Sequence, residues 1–119
     1  MNLSRRMEEF DMKPLRIELY FFDGCPSYKV GRALLDQVIA DEHLDATVEM
    51  IRVEDDLDAV KKKFVGSPTW RVGDVDLFAD QASGAYAMQC RVYRTPEGLR
   101  GVPSKAMLSD ALKQVAGEM

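Results

Sequence analysis

The chain has 119 residues, 46% of them hydrophobic and 30% charged, with a formal net charge of −4 from 20 acidic and 16 basic side chains. That is one globular domain's worth, long enough to bury a core without disulfide or metal staples. No basic arm offsets the acidic balance and no run approaches the ~18 apolar residues that cross a bilayer, so neither nucleic acid nor membrane is an expected partner.

Met1 to Lys13 mixes Arg5, Arg6, Glu8, Glu9 and Asp11 and lacks the apolar centre of a signal peptide. The expected compartment is the cytoplasm. This stretch reads as an N-terminal extension, expected to be flexible, ahead of a domain over 14–119. Leu15 to Phe22 is rich in β-formers and reads as a buried strand. Asp23-Gly24 breaks it, and Pro26 opens a helical pattern with Val30, Ala33, Leu34 and Val38 on one face. Thr47 to Val53 alternates as a second strand. Asp55 to Phe64 follows as a helix with Leu57, Val60 and Phe64 inward. Its acidic start and its Lys61-Lys62-Lys63 finish suit the helix macrodipole, so the charges read as a solvated helix and not as a binding patch.

Gly66-Ser67-Pro68 ends that helix, Thr69 to Val72 reads as a short strand, and Gly73-Asp74 predicts a hairpin turn into Val75 to Phe78. Ala79 to Arg100 is a long insert in which only Cys90 to Arg94 reads as extended. Pro103 and Ser104 start a last helix carrying Leu108, Ala111, Leu112 and Val115 at amphipathic spacing. The order β-α-β-α-β-β-insert-α predicts an α/β fold. Its first β-α-β requires a parallel pair, and the hairpin adds antiparallel strands to give one mixed sheet of about four strands flanked by helices.

Two cysteines do not make a disulfide scaffold in a chain of this length, so each needs its own reading. Cys25 stands before Pro26, and proline is favoured at the first helical position because its missing N–H has no partner there. This places Cys25 at or beside the N-cap, where free amides and the positive end of the helix favour a thiolate. The competing reading is an inert cysteine at a strand end. Cys90 reads either as a small buried hydrophobe of the insert or as a second reactive thiol. Lys29 and Arg32 read as a solvated helix face, His43 as a residue at the helix C-terminus, and Trp70 as core. The Cys25–Arg32 spacing misses that of a phosphatase-type loop by one residue. Two isolated cysteines and one distant histidine do not match a structural zinc site. Neither a metal nor a cofactor is expected.

The phrases Phe22-Asp23-Gly24-Cys25-Pro26 and Gly66-Ser67-Pro68-Thr69, in this order of elements, resemble the thioredoxin superfamily. Its members carry a strand–Cys-x-x-Cys–helix motif and, later, a cis-proline opening the third strand. The resemblance runs from Leu15 to Phe78 and over the last helix. Cys90-Arg91-Val92-Tyr93-Arg94 adds a likeness to a group of small bacterial proteins of that superfamily, from which no activity is carried over. The resemblance implies a thioredoxin-like fold with Cys25 as the reactive group. It also implies a cis Ser67–Pro68 bond opposite Cys25, and a groove formed by Pro26, Tyr28, Ser67, Pro68 and Thr69.

This sequence departs from the motif at Tyr28, which stands where the second cysteine would be, so the usual dithiol cycle lacks its resolving thiol. Monothiol glutaredoxins share that lack, but their glutathione-contact motifs are not found after the second hairpin strand. Tyr28 reads either as a helix-face aromatic packing on the insert or as a donor to a sulfur anion. The favoured function is thiol–disulfide or related sulfur redox chemistry on a thiol or disulfide substrate, protein or small molecule. Cys25 would attack, and Cys90 or an external thiol would resolve. The insert is expected to fold over the Cys25 cleft, with Cys90 on the same sheet edge. A second reading is a non-catalytic scaffold that binds a peptide or protein. A third is capture of a soft metal or metalloid by the two thiols. The oligomeric state is left open.

Overall fold

Alternation along LRIELYF decides the centre of the fold. Leu15, Ile17 and Leu19 are buried on one face of the first strand, β1 (Leu15–Phe21), while Arg16 between them is exposed. The computed structural model describes residues 14–118, and the N-terminal extension expected over 1–13 lies outside them. The second strand, β2 (Ala46–Arg52), runs parallel to β1 in a register from Leu15↔Ala46 to Phe21↔Arg52. On the other side β3 (Thr69–Val72) is antiparallel, from Ile17↔Val72 to Tyr20↔Thr69, and β4 (Val75–Asp76) pairs with β3. The resulting four-stranded mixed sheet has the order β2-β1-β3-β4. The turn between β3 and β4 is Gly73-Asp74 as expected, with Gly73 at φ +63°, a value that hairpin turns of this kind require.

Three helices complete this α/β architecture among the described residues: α1 (Tyr28–Asp41), α2 (Asp56–Lys61) and α3 (Lys105–Glu118). Helix α1 starts two residues beyond Pro26, with Ser27 at its N-cap. Of the expected stripe Val38 is buried and Leu34 packs partly buried against the core, but Val30 is 58% exposed and Ala33 is exposed too, their places on the buried face being taken by Gly31 and Leu35. The cause is a close approach. A Cβ on Gly31 would lie 3.0 Å from the Trp70 ring, so the glycine faces the sheet and turns Val30 outward.

Helix α2 is shorter than its expected range and is also rotated. Ala59 is buried, whereas Leu57 and Val60 are 66% and 54% exposed. The side chain of Asp55 accepts the Asp58 N–H at 2.8 Å, and Asp58 accepts the Glu54 N–H at 2.9 Å, so the two carboxylates cap the first turn reciprocally. The helix ends because Lys63 takes φ +54° and the Phe64 N–H reaches back to the Ala59 carbonyl at 2.8 Å. That turn carries Phe64 inward, as expected. His43, at φ +53°, closes α1 in the same way, with the Leu44 N–H on the Ile39 carbonyl. At the start of α3, Ser104 Oγ accepts the Met107 N–H at 3.1 Å.

The larger core joins Ile17 and Leu19 of β1 to Leu35 and Val38 of α1, Leu108 and Leu112 of α3, and the rings of Trp70, Phe78 and Tyr93. The three rings meet edge-on, with centroids 5.4–6.2 Å apart. A smaller cluster of Val53, Ala59 and Phe64 packs with Tyr20, Phe22 and Met88. Within the insert lie a single 3-10 turn (Ala79–Gln81) and a hairpin of β5 (Tyr93–Thr95) and β6 (Gly98–Arg100). The extended stretch expected over Cys90 to Arg94 thus becomes a strand three residues later, and β6 was not expected. Among the described residues, no helix is long and apolar enough to cross a membrane.

Candidate functional site

Cys25 sits in the connection between β1 and α1, after a tight turn in which its N–H donates to the Phe22 carbonyl at 3.1 Å. The residue is 5% exposed. Its sulfur accepts the Ser27 N–H at 3.4 Å, so the N-cap amide of α1 is directed at Sγ. The thiol in turn donates to the Ser67 carbonyl at 3.5 Å. Pro26 is exposed and precedes the N-cap, where it stiffens the approach to the helix without occupying its first position. Gly101 completes the surroundings: a Cβ there would collide with Ser27 Oγ, so the chain leaving β6 passes directly over the N-cap.

The two short motifs therefore meet in space. The Ser67–Pro68 peptide bond is cis. Ser67, Pro68 and Thr69 are all fully buried, and the insert is one of the segments packed against them, with α1 at Pro68 and β1 at Thr69. Residues 87–93 run alongside 64–68. The Ala87 N–H donates to the Phe64 carbonyl at 3.1 Å, and Gln89 Nε2 donates to the Val65 carbonyl at 3.3 Å. The Ser67 N–H donates to the Gln89 carbonyl at 2.8 Å, and the Arg91 N–H donates to the Ser67 carbonyl at 2.9 Å. This pair of bonds makes Ser67 and Cys90 partners in an isolated parallel bridge. Beyond them, the Tyr93 hydroxyl donates to the Pro68 carbonyl. The Gly66 carbonyl is taken by Thr69 Oγ1. Gly66 itself, at φ +131°, lies so close to the insert that a Cβ would stand 2.9 Å from Arg91 Cβ.

Arg91 fastens this arrangement, and the sequence reading missed it. Its guanidinium is almost fully buried and donates to Thr69 Oγ1 at 3.0 Å, Asp76 Oδ2 at 2.9 Å and the Phe78 carbonyl at 2.6 Å. It also lies over the Tyr93 ring, 4.8 Å from the centroid. Burial pushes the Tyr93 phenol far above the ordinary tyrosine range. The Arg91 charge works against that shift, and Asp76 and Cys25 reinforce it. A signal for this existed in the alternation of Arg91 and Tyr93 against exposed Val92 and Arg94, but a lone arginine in a polar insert reads first as surface.

Tyr28 stacks on Phe21 with centroids 4.4 Å apart and an interplanar angle of 24°. It therefore packs on the end of β1. Cys90 is exposed and lines a small hollow of about 200 Å³ with Val65, Gln89 and Arg91. Its backbone lies at the same edge as Cys25 through their common neighbour Ser67. Among the described residues, no three His, Cys, Asp or Glu side chains are placed to hold a metal ion. No family model, curated protein or solved structure matches the chain.

Proposed function

We propose that the chain is a thioredoxin-like thiol–disulfide exchange protein whose attacking sulfur is Cys25. The observation that supports this most is the position of that sulfur between the Ser27 N–H at the start of α1 and the Ser67 carbonyl ahead of β3. The Ser27 amide is a donor that remains useful to the sulfur in either protonation state. The helix N-terminus behind it carries a partial positive charge. In the exchange, the Cys25 thiolate attacks one sulfur of a disulfide, a mixed disulfide forms, and the other sulfur leaves as a thiolate. Tyr28 stands at the motif's second cysteine position and supplies no second thiol. Release then falls to Cys90, whose backbone borders the same edge, or to an external thiol.

The test is disulfide exchange by wild type, Cys25→Ser and Cys90→Ser proteins. Loss of turnover in Cys25→Ser is the expected result, and unchanged turnover there sinks the proposal. Mild oxidation followed by peptide mapping decides between the two resolving thiols. The burial of Cys25 supports a second reading, a non-catalytic scaffold. In that case Cys25→Ser alters neither the fold nor partner binding, and no exchange is seen in any variant.

A further inference from the structure

We infer that Cys25 exchanges with low-molecular-weight disulfides and discriminates against extended polypeptides, because the edge on which a polypeptide would be laid is already occupied by the chain's own insert. The inference rests on the exchange reading above and narrows its substrate class. A peptide added to a sheet edge is held by main-chain hydrogen bonds, so it needs unpaired N–H and C=O groups there. Beside Cys25 they are taken. The Ser67 N–H and C=O bond to Gln89 and Arg91, and the same carbonyl accepts the Cys25 thiol. Pro68 has no N–H, and its carbonyl is capped by Tyr93. The pairing is also anchored from the side. The Arg91 guanidinium reaches Thr69, Asp76 and Phe78, and Gln89 Nε2 reaches Val65, Ser83 and Ala85.

A small disulfide needs none of those backbone groups, only a path to Sγ. In the step proposed, the Cys25 thiolate forms a bond to one substrate sulfur. The substrate's own S–S bond breaks, and its electron pair leaves with the second sulfur, which takes a proton from water. A second low-molecular-weight thiol then attacks the mixed disulfide. It regenerates the Cys25 thiolate and leaves as the new disulfide, so the protein is unchanged over the cycle.

The experiment uses reduced full-length Cys90→Ser protein, so that only Cys25 reports. It is mixed with hydroxyethyl disulfide or with a flexible peptide dimer joined by one disulfide, and adducts are followed by intact mass. Each rate is divided by that of the same protein unfolded in urea, which removes the intrinsic reactivity of the probe. The folded protein should prefer the small disulfide by at least about tenfold, the factor expected when two backbone hydrogen bonds of ordinary net strength must first open. The preference should narrow in Arg91→Ala and in Gln89→Ala. The second variant buries no unpaired charge and decides the matter if the first does not fold. Equal corrected rates for the two probes overturn the inference and leave thiol exchange standing. A preference that persists undiminished in both variants overturns its assignment to the insert. Reaction of Cys25 with neither probe overturns the exchange reading, and this inference with it.

Discussion

Ser67 and Cys90 lie opposite each other as partners in an isolated parallel bridge, and the Ser67 carbonyl that closes this bridge also accepts the thiol of Cys25. One backbone group therefore ties the insert to the connection between β1 and α1. Because the bridge is parallel, the insert runs in the same direction as residues 64–68 and acts as a short extra strand laid beside them. The properties of the site follow from how firmly that strand is held.

The two cysteines should differ in the size of reagent they accept. Cys90 is exposed and Cys25 nearly buried, so a bulky maleimide should modify Cys90 first and stop at one adduct, while a small alkylating reagent proceeds to Cys25. Peptide mapping of the singly modified protein checks this. Bulky label found first on Cys25 contradicts the structure around the sulfur.

Gly66→Ala should loosen the insert. At φ +131° a side chain is strained by roughly 1–3 kcal/mol, and its Cβ would meet Arg91 Cβ at 2.9 Å. The expected outcome is a drop in stability of at least that order in urea unfolding. Faster amide hydrogen exchange at Ser67 and Arg91 should accompany it. Unchanged exchange at both amides would show that the contact does not hold the edge closed.

Arg91→Ala should be among the most destabilising single changes. It removes bonds to three acceptors and leaves Asp76, which is itself largely shielded, without its cation. Removing one partner of a buried ion pair costs about 3–5 kcal/mol. Arg91→Lys should recover little, because one ammonium does not reproduce a planar fork that serves Thr69, Asp76 and Phe78 together. Urea midpoints for the two variants give the comparison, and a loss below about 1 kcal/mol for Arg91→Ala would place it with ordinary surface changes.

Alkaline pH should unfold the protein through Tyr93. Burial raises its phenol in the folded state, while in the unfolded chain it titrates near the ordinary value of about 10. The folded state then holds a proton that the unfolded state releases. This contribution to stability is complete below about pH 10 and is lost progressively as pH rises toward the raised folded value. Tyrosinate absorbance followed together with circular dichroism checks it: part of the absorbance change should wait for unfolding. Full ionisation of all four tyrosines in the folded protein would contradict the burial of Tyr93.

The sequence alone determined what depends on neighbours along the chain. Strand β1 was legible because Leu15, Ile17 and Leu19 alternate with polar positions, and the β3–β4 hairpin because Gly73-Asp74 suits a two-residue turn. The start of α2 was legible from Asp55, but its end was not, since the helix stops at Lys61 and not at Phe64. The face of α3 was legible too, where Leu108 and Leu112 are buried and Ala111 and Val115 pack against the core, whereas the faces of α1 and α2 were legible only in part. In α1, Gly31 decided the rotation because Trp70, distant in sequence, approaches there, and in α2 the buried position went to Ala59 and left Leu57 and Val60 in water. At the site, the sequence singled out Cys25 through the proline that follows it, and Ser67 and Pro68 through the resemblance their motif carries. Only the tertiary structure decided that the insert pairs with Ser67 and that Arg91 is an interior clamp. The acceptors that make its burial affordable, Thr69, Asp76 and Phe78, stand on other segments, and a charge goes inside only where folding assembles its partners.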